Sequence, residues 1–377
     1  MPTTLRMIVD QVVAPVPGPL GIYTQALTSA VIESTPPGCQ VEGIVSSSLP
    51  EDYDRVLQMF PGLSGIYKTS LARRELAAAW QLGLTTSPGP GMIHAPSLFA
   101  PLRRHDHAAG DQVVVTVHDL LPWTHPESLT ATTAAWHRAM MKRARKHADA
   151  IVVPTHALAE RLSTVADFGD RVRVIGTAPR PGLHLPADAA DRARRLGLPS
   201  DYLLTAGTLE PRTGIVDLLE ALGRPGVPDI RVIVLGPESW GEVHLANAAE
   251  EAGVPPARVR ALQVDDPADL ATVLSAATAF VAPSHDDGAG TSIIEAFSLG
   301  VPVIHSDAPA YVEVSADAGL TVPVGTVGYV NRLAAAVTSV VENDALADRL
   351  SVSGTDRAKA FSWLEAGQRV WQLHAEI

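Results

Sequence analysis

The feature that most constrains this chain is a rhythm: short β-branched runs alternate with helical patterns along almost its whole length. Met7 to Val9, Val113 to Val117, Ile151 to Val153 and Val172 to Ile175 read as short strands, with helical patterns at Tyr23 to Ile32 and Thr132 to His147. The second half repeats the alternation. Strand Tyr202 to Ala206 precedes a helix from Gly214 to Leu222, and strands Arg231 to Leu235 and Ala279 to Ala282 follow. A helix from Thr291 to Leu299 then leads into strand Val301 to His305. Strands that are apolar throughout must be covered on both faces, and parallel pairing needs a long crossover, which the helices supply. The pattern predicts an α/β fold of parallel, doubly wound, Rossmann-like sheets.

With 377 residues the chain is too long for one ordinary core. A break falls between Ile175 and Asp201, where Pro179, Pro181, Pro186 and Pro199 accompany Gly176 and Gly182. That composition predicts a linker over 179–200, between an N-terminal domain over 1–178 and a C-terminal one over 201–360. Two such domains are expected to face each other across a cleft at the C-terminal ends of their strands, where sheets of this kind bind ligands. Charge divides the same way: residues 1–180 carry 16 Lys and Arg against 15 Asp and Glu, and residues 181–377 carry 13 against 26. Neither half is basic enough for nucleic acid to be the expected partner. No apolar run reaches the length of a membrane span, and Asp10 interrupts the segment that would serve as a signal peptide, so a cytoplasmic protein is expected. The single cysteine, Cys39, excludes an intrachain disulfide and reads as a small hydrophobe rather than a nucleophile.

The most informative segment runs from Pro283 to Ala296, Pro-Ser-His-Asp-Asp-Gly-Ala-Gly-Thr-Ser-Ile-Ile-Glu-Ala. A strand ends at Ala282, a loop bearing Gly288 and Gly290 follows, and a helix starts with Thr291 or Ser292 as its cap. Backbone N–H groups exposed at a helix start favour an anion. Asp287 before the helix and Glu295 a turn inside it place two carboxylates beside that position, acceptors suited to the hydroxyls of a sugar and a ribose. A plain strand–turn–helix connection is the bland alternative.

This segment resembles the signature of the family-four retaining glycosyltransferases, which have the GT-B fold. Their signature sets two acidic residues around a glycine-rich turn, with seven residues between them. Asp287 and Glu295 keep that spacing, with Asp in the first acidic place and Ala289 where the family has an aromatic residue. The resemblance implies that Asp287 contacts the donor sugar and Glu295 the nucleotide ribose, with Gly288, Gly290, Thr291 and Ser292 around the donor. Ala206-Gly-Thr-Leu-Glu-Pro-Arg-Thr-Gly214 is similar to the family's Gly-Thr-Leu-Glu-Pro-Arg-Lys-Asn segment, which implies Arg212 over the diphosphate and Gly207, Thr208 and Thr213 beside it. Thr213 stands where the family has a lysine, and Thr208 where many members have an arginine. Ala261 to Leu270 looks like the segment whose backbone, at Val264, frames the base. Leu5 to Asp10 followed by Gly21-Ile-Tyr-Thr24 is similar to the first strand and glycine loop, which puts Gly21 near the donor phosphates. Val117-His-Asp-Leu-Leu-Pro122 resembles the strand-end motif whose histidine, here His118, bonds the sugar; a structural histidine is the alternative. A solvated surface arginine is likewise the alternative for Arg212. Phe361 to Trp371 is similar to the last helix, which in this fold returns to the N-terminal domain.

The resemblance implies transfer of a hexose or deoxyhexose from a nucleoside-diphosphate sugar to a hydroxyl acceptor, a saccharide or lipid-linked saccharide, with retained anomeric configuration and no metal or other cofactor. The destination it suggests is a cell-envelope polysaccharide or glycolipid. Missing cations at positions 208 and 213 keep a second class open, a glycosyltransferase-like binding or partner subunit of weak or absent activity. The basic helix carrying Arg138, Lys142, Arg143, Arg145 and Lys146 reads either as a solvated face or as a weak peripheral contact with the inner membrane face. No metal-ligand cluster is visible: His105 and His107 flank Asp106 by chance, and Asp286 with Asp287 does not make a metal site.

Overall fold

A computed structural model describes residues 2–84, 89, 91–325 and 327–377. The chain forms two compact units, residues 1–177 with 362–377, and residues 178–361.

The first unit is built on strands β1 (Thr3–Ile8), β2 (Cys39–Val45), β3 (Gly65–Lys68), β4 (Met92–Ala95), β5 (Gln112–Thr116), β6 (Ala150–Val153) and β7 (Val172–Val174). All pair in parallel, in the order β3-β2-β1-β4-β5-β6-β7. Strand alternation sends side chains to two separate cores. Val113, Val115, Ile151 and Val153 pack on one face, Val114, Ala150 and Val152 on the other. Burial on both faces is why β5 is apolar over Val113–Val115 and β6 throughout.

The Trp363–Glu376 helix belongs to this first unit and lies on the Gly18–Glu33 helix. The indole of Trp371 donates to Val31 O at 2.8 Å. A Cβ on Gly367 would fall 2.4 Å from Ala30 O, so only glycine permits this approach.

The second unit holds β8 (Tyr202–Ala206), β9 (Arg231–Leu235), the hairpin β10 (Ser239–Trp240) and β11 (Val243–His244), then β12 (Val259–Leu262), β13 (Ala279–Ala282), β14 (Val303–Ser306) and β15 (Leu320–Val322). Its main sheet is parallel in the order β12-β9-β8-β13-β14-β15, again with a core on each face. Leu203, Val232, Ala279 and Val281 face one core; Tyr202, Leu204, Ile233 and Phe280 face the other.

Two expectations need revision. Residues 179–200, expected as a linker, lie within the second unit and contain a helix, Ala189–Leu196. Arg192 of that helix bonds Asp188, Asp266 and Asp269, the last two across the sequence, which anchors the segment. Gly21, expected in a loop, lies in the first turn of the Gly18–Glu33 helix and donates its N–H to Pro17 O at 2.9 Å. The helix begins five residues before the apolar pattern at Tyr23, because Pro17, Gly18 and Pro19 form its start.

Candidate functional site

The strand order of the second unit reverses between β8 and β13, the position where doubly wound sheets bind ligands beyond the strand ends. The loops leaving those two strands are 207–214 and 283–290, the two segments singled out from sequence. They are stitched together. His285 donates its backbone N–H to Arg212 O at 2.7 Å, and Ser284 Oγ donates to Thr213 O at 3.2 Å.

Arg212 sits in the single 3-10 turn Pro211–Thr213. Its Nη2 donates to Glu210 Oε1 at 2.8 Å and its Nη1 reaches Asp286 O at 3.5 Å. Its Nε is buried without a hydrogen-bond partner among the described residues. Glu210 also accepts from Thr208 Oγ1 at 2.7 Å. Thr213 is buried, and its hydroxyl is shared between Thr208 O at 2.7 Å and Glu210 O at 2.8 Å. The two threonines therefore brace the loop that presents Arg212, and neither hydroxyl proton is left for a ligand. Gly207 begins the loop with φ of 143°, beside Thr213.

Asp287 turns back on its own loop. Oδ1 accepts the N–H of Ala289 at 2.8 Å and of Gly290 at 2.6 Å, and Oδ2 lies 3.4 Å from the hydroxyl of Tyr311. Burial pushes this carboxyl up from its ordinary range, opposed by the two amides and by the positive charge of Arg212. Burial likewise raises the Tyr311 phenol well above its usual value, with the Asp287 charge adding to it. Across the loop, a hydrogen bond to Asp217 at 2.7 Å raises the imidazole of His285.

The Thr291–Ser298 helix follows, but neither Thr291 nor Ser292 is its cap. Gly290 fills that place with φ of 63°, a left-handed conformation that glycine adopts without strain. Gly288 is buried in the loop, while Thr291 and Ser292 are half-buried in the first turn. Glu295 lies one turn in, 5% exposed. Arg180 holds it through three bonds: backbone N and Nε to Oε1 at 3.3 and 2.7 Å, and Nη2 to Oε2 at 3.1 Å. Val264 is half-buried between β12 and the Pro267–Ser275 helix, packed on the core that Ile293 and Ile294 share.

In the first unit, His118 follows β5. Its Nε2 bonds the carbonyl of Pro96 at 2.7 Å, and since a carbonyl only accepts, Nε2 carries the proton. Burial depresses its basicity, so the ring is neutral with the Nδ1 lone pair as an acceptor. The ring of Tyr23 meets it edge-on at 4.4 Å. His125 pairs with Glu127, and His105 with Asp149. Among the described residues no group of three or more His, Cys, Asp or Glu is arranged to hold a metal ion, and no helix is long and apolar enough to cross a membrane.

Sequence reasoning missed Tyr311, Glu210 as a loop brace, and Arg180 as the partner of Glu295. Glu210 lies inside a motif already singled out, and Arg180 sits between two prolines, a sign of a fixed backbone. Nothing in the sequence ties Tyr311 to Asp287.

Residues 34–178 match Glycosyltransferase Family 4, and residues 188–357 match Glycosyl transferases group 1. The chain belongs to the family-four glycosyltransferases. This glycosyltransferase is 29% identical over 291 residues to the O-antigen chain mannosyltransferase B of Escherichia coli, covering 72% of its own length and 71% of that protein. It is 32% identical over 245 residues to a D-inositol 3-phosphate glycosyltransferase of Nocardioides, covering 60% of its own length and 53% of the relative. A phosphatidyl-myo-inositol mannosyltransferase of Mycobacterium leprae is 30% identical over 176 residues, covering 45% of this chain and 44% of that one. Against these last two, the match spans about half of the relative. Among solved structures, the sucrose-phosphate synthase of Thermosynechococcus elongatus superposes with a TM-score of 0.72 at 20% identity, covering 99% of this chain and 98% of that one. Anabaena HepE in complex with UDP and glucose superposes with a TM-score of 0.73 at 16% identity, covering 100% of both chains. The fold is that of the GT-B glycosyltransferases.

Proposed function

We propose that this glycosyltransferase moves a hexose or deoxyhexose from a nucleoside-diphosphate sugar to a hydroxyl acceptor, with retention, in the synthesis of a cell-envelope polysaccharide or glycolipid. The observation that carries the reading is the meeting of Arg212, Asp287 and the start of the Thr291–Ser298 helix on two stitched loops where the sheet order reverses. Solved HepE is named with UDP and with UDP-glucose, which supports a nucleotide donor. The names of the relatives, in O-antigen and phosphatidylinositol chemistry, support the destination.

In the proposed reaction the bond from the anomeric carbon to the diphosphate breaks, and its electron pair leaves on the phosphate oxygen. The acceptor oxygen bonds to the resulting oxocarbenium-like centre on the same face and passes its proton to that phosphate oxygen. Catalysis then rests on stabilising the departing charge, which the guanidinium of Arg212 and the N–H groups at the helix start are suited to do. His118 Nδ1 would accept from a sugar hydroxyl, and no metal is written into the scheme. A weak peripheral contact with anionic lipid would fall to Lys142, Arg145 and Lys146, which are exposed, since Arg143 and Arg138 are bonded to the carbonyls of Leu102 and Pro122. Failure to sediment with anionic vesicles at low salt would remove that contact.

The central test is sugar transfer from a panel of nucleoside-diphosphate sugars by the wild type and Arg212→Ala. Loss of one such leaving-group contact is expected to slow transfer by roughly a hundredfold. Turnover that survives the substitution would overturn this account. Nucleotide binding without transfer by the wild type would favour a binding or partner subunit.

A further inference from the structure

The Arg180–Glu295 pair changes what the second acidic residue can offer a nucleotide. Both residues lie in the second unit. Arg180 is flanked by Pro179 and Pro181, which fix the backbone around it, and Leu183 N–H closes a turn onto Arg180 O at 3.3 Å. The guanidinium meets Glu295 side-on through Nε and Nη2, while the Arg180 backbone N–H adds a third bond. An ionised carboxylate accepts about four hydrogen bonds. Arg180 occupies both sites on Oε1 and one on Oε2, which leaves a single acceptor site on Oε2. On the Arg180 side, Nη1 has no acceptor among the described residues.

We infer that Arg180 is a specificity-determining residue for the nucleotide. With Glu295 it presents the open acceptor site on Oε2 together with the unused N–H groups of the guanidinium, a match for a vicinal diol in which one hydroxyl donates to Oε2 and its neighbour accepts from the guanidinium. This inference rests on the proposed reading of Glu295 as the ribose contact. A free carboxylate would take both hydroxyls as donors; the clamped one takes one, and Arg180 supplies the other half of the recognition. Arg180 also fixes the Glu295 carboxylate in one orientation, a geometric contribution that a mobile lysine would not reproduce.

The test is calorimetric titration with uridine, guanosine and adenosine diphosphates and with the 2′-deoxy and 3′-deoxy forms of whichever binds best. The wild type should prefer the ribose form by about tenfold, the size of one hydrogen bond. Arg180→Ala should bring the ratio close to one, and Arg180→Lys should restore it only in part. If Arg180→Ala does not fold, judged by its thermal transition, the ratio in Arg180→Lys decides. A variant that loses thermal stability but keeps the tenfold ratio makes Arg180 a structural clamp only and overturns the inference, as does tighter nucleotide binding in Arg180→Ala. Glu295→Gln separates the two layers. If it also leaves the ratio unchanged, or if no diphosphate binds the wild type, the nucleotide reading of the site fails; if it abolishes the ratio while Arg180→Ala does not, only the role of Arg180 falls.

Discussion

The Thr213 hydroxyl spends its one proton on two carbonyls of its own loop, and the side chain around it is closed to solvent. A lysine here would strand those carbonyls and force a longer chain out past Gly207, on which a Cβ would stand 3.5 Å from the Thr213 methyl. Thr213→Lys is therefore expected to lower stability by about 1–3 kcal/mol in denaturant titration and to leave transfer unimproved. A faster variant of undiminished stability would show that the loop tolerates a family-type cation. Asp287 allows a cleaner separation of roles. Because its folded pKa is raised, its contribution is most favourable below the ordinary carboxylate value near pH 4 and is lost as pH rises through the folded value. Asp287→Asn keeps an oxygen for the amides of Ala289 and Gly290 and removes the buried charge. Stability at pH 7 should be equal or higher while transfer falls; lost stability would mean the charge itself holds the loop. The seven residues between Asp287 and Glu295 made both acids visible in the sequence. Their internal partners were not, because Arg180 lies 115 residues from Glu295 and Tyr311 lies 24 from Asp287.

Strands were the most legible elements. Tyr202–Ala206, Arg231–Leu235 and Ala279–Ala282 have the bounds their apolar runs suggested, since a strand buried on both faces has no other way to spell itself. The Ala189–Leu196 helix was not legible, because none of its residues is fully buried and, apart from Leu196 on the core, charged side chains carry its contacts. Helix starts were misread where glycine, rather than a hydroxyl side chain, takes the cap, as at Gly290. That cap can be tested. A Cβ on Gly290 would stand 3.1 Å from a Val314 methyl at a φ of 63°. Gly290→Ala is expected to cost about 1–2 kcal/mol in chemical denaturation and to weaken nucleotide binding by shifting the amides of the helix start. Unchanged affinity would detach the helix start from the donor.

At the scale of the molecule, each unit has its own sheet and its own pair of cores, so each is expected to unfold as its own cooperative body. They should differ in acid. The first unit buries His94 against His374, Nδ1 to Nε2 at 3.3 Å, and His374 bonds Gln112 at 2.8 Å. Burial lowers His94 to about 3, and burial with the neighbouring ring lowers His374 well below its ordinary value. Both pKa values are depressed on folding, so the contribution of this pair to stability is fully present above pH 6.5 and is lost as pH falls towards the folded values, by up to about 1.4 kcal/mol per pH unit for each histidine. Calorimetry between pH 7 and 5 should show one transition falling faster than the other, and His94→Leu should flatten it. Equal slopes in the wild type would count against the buried pair.

The Trp363–Glu376 helix has a consequence for biosynthesis. Since it completes the first unit but is encoded after all of the second, the ribosome cannot deliver a finished first unit until it has made the whole of the second. The usual order, N-terminal domain first, is therefore inverted here. Until then the Gly18–Glu33 helix must wait with its Trp371 contact unmade, and a stalled or shortened product would betray itself at the opposite end of the sequence from the break.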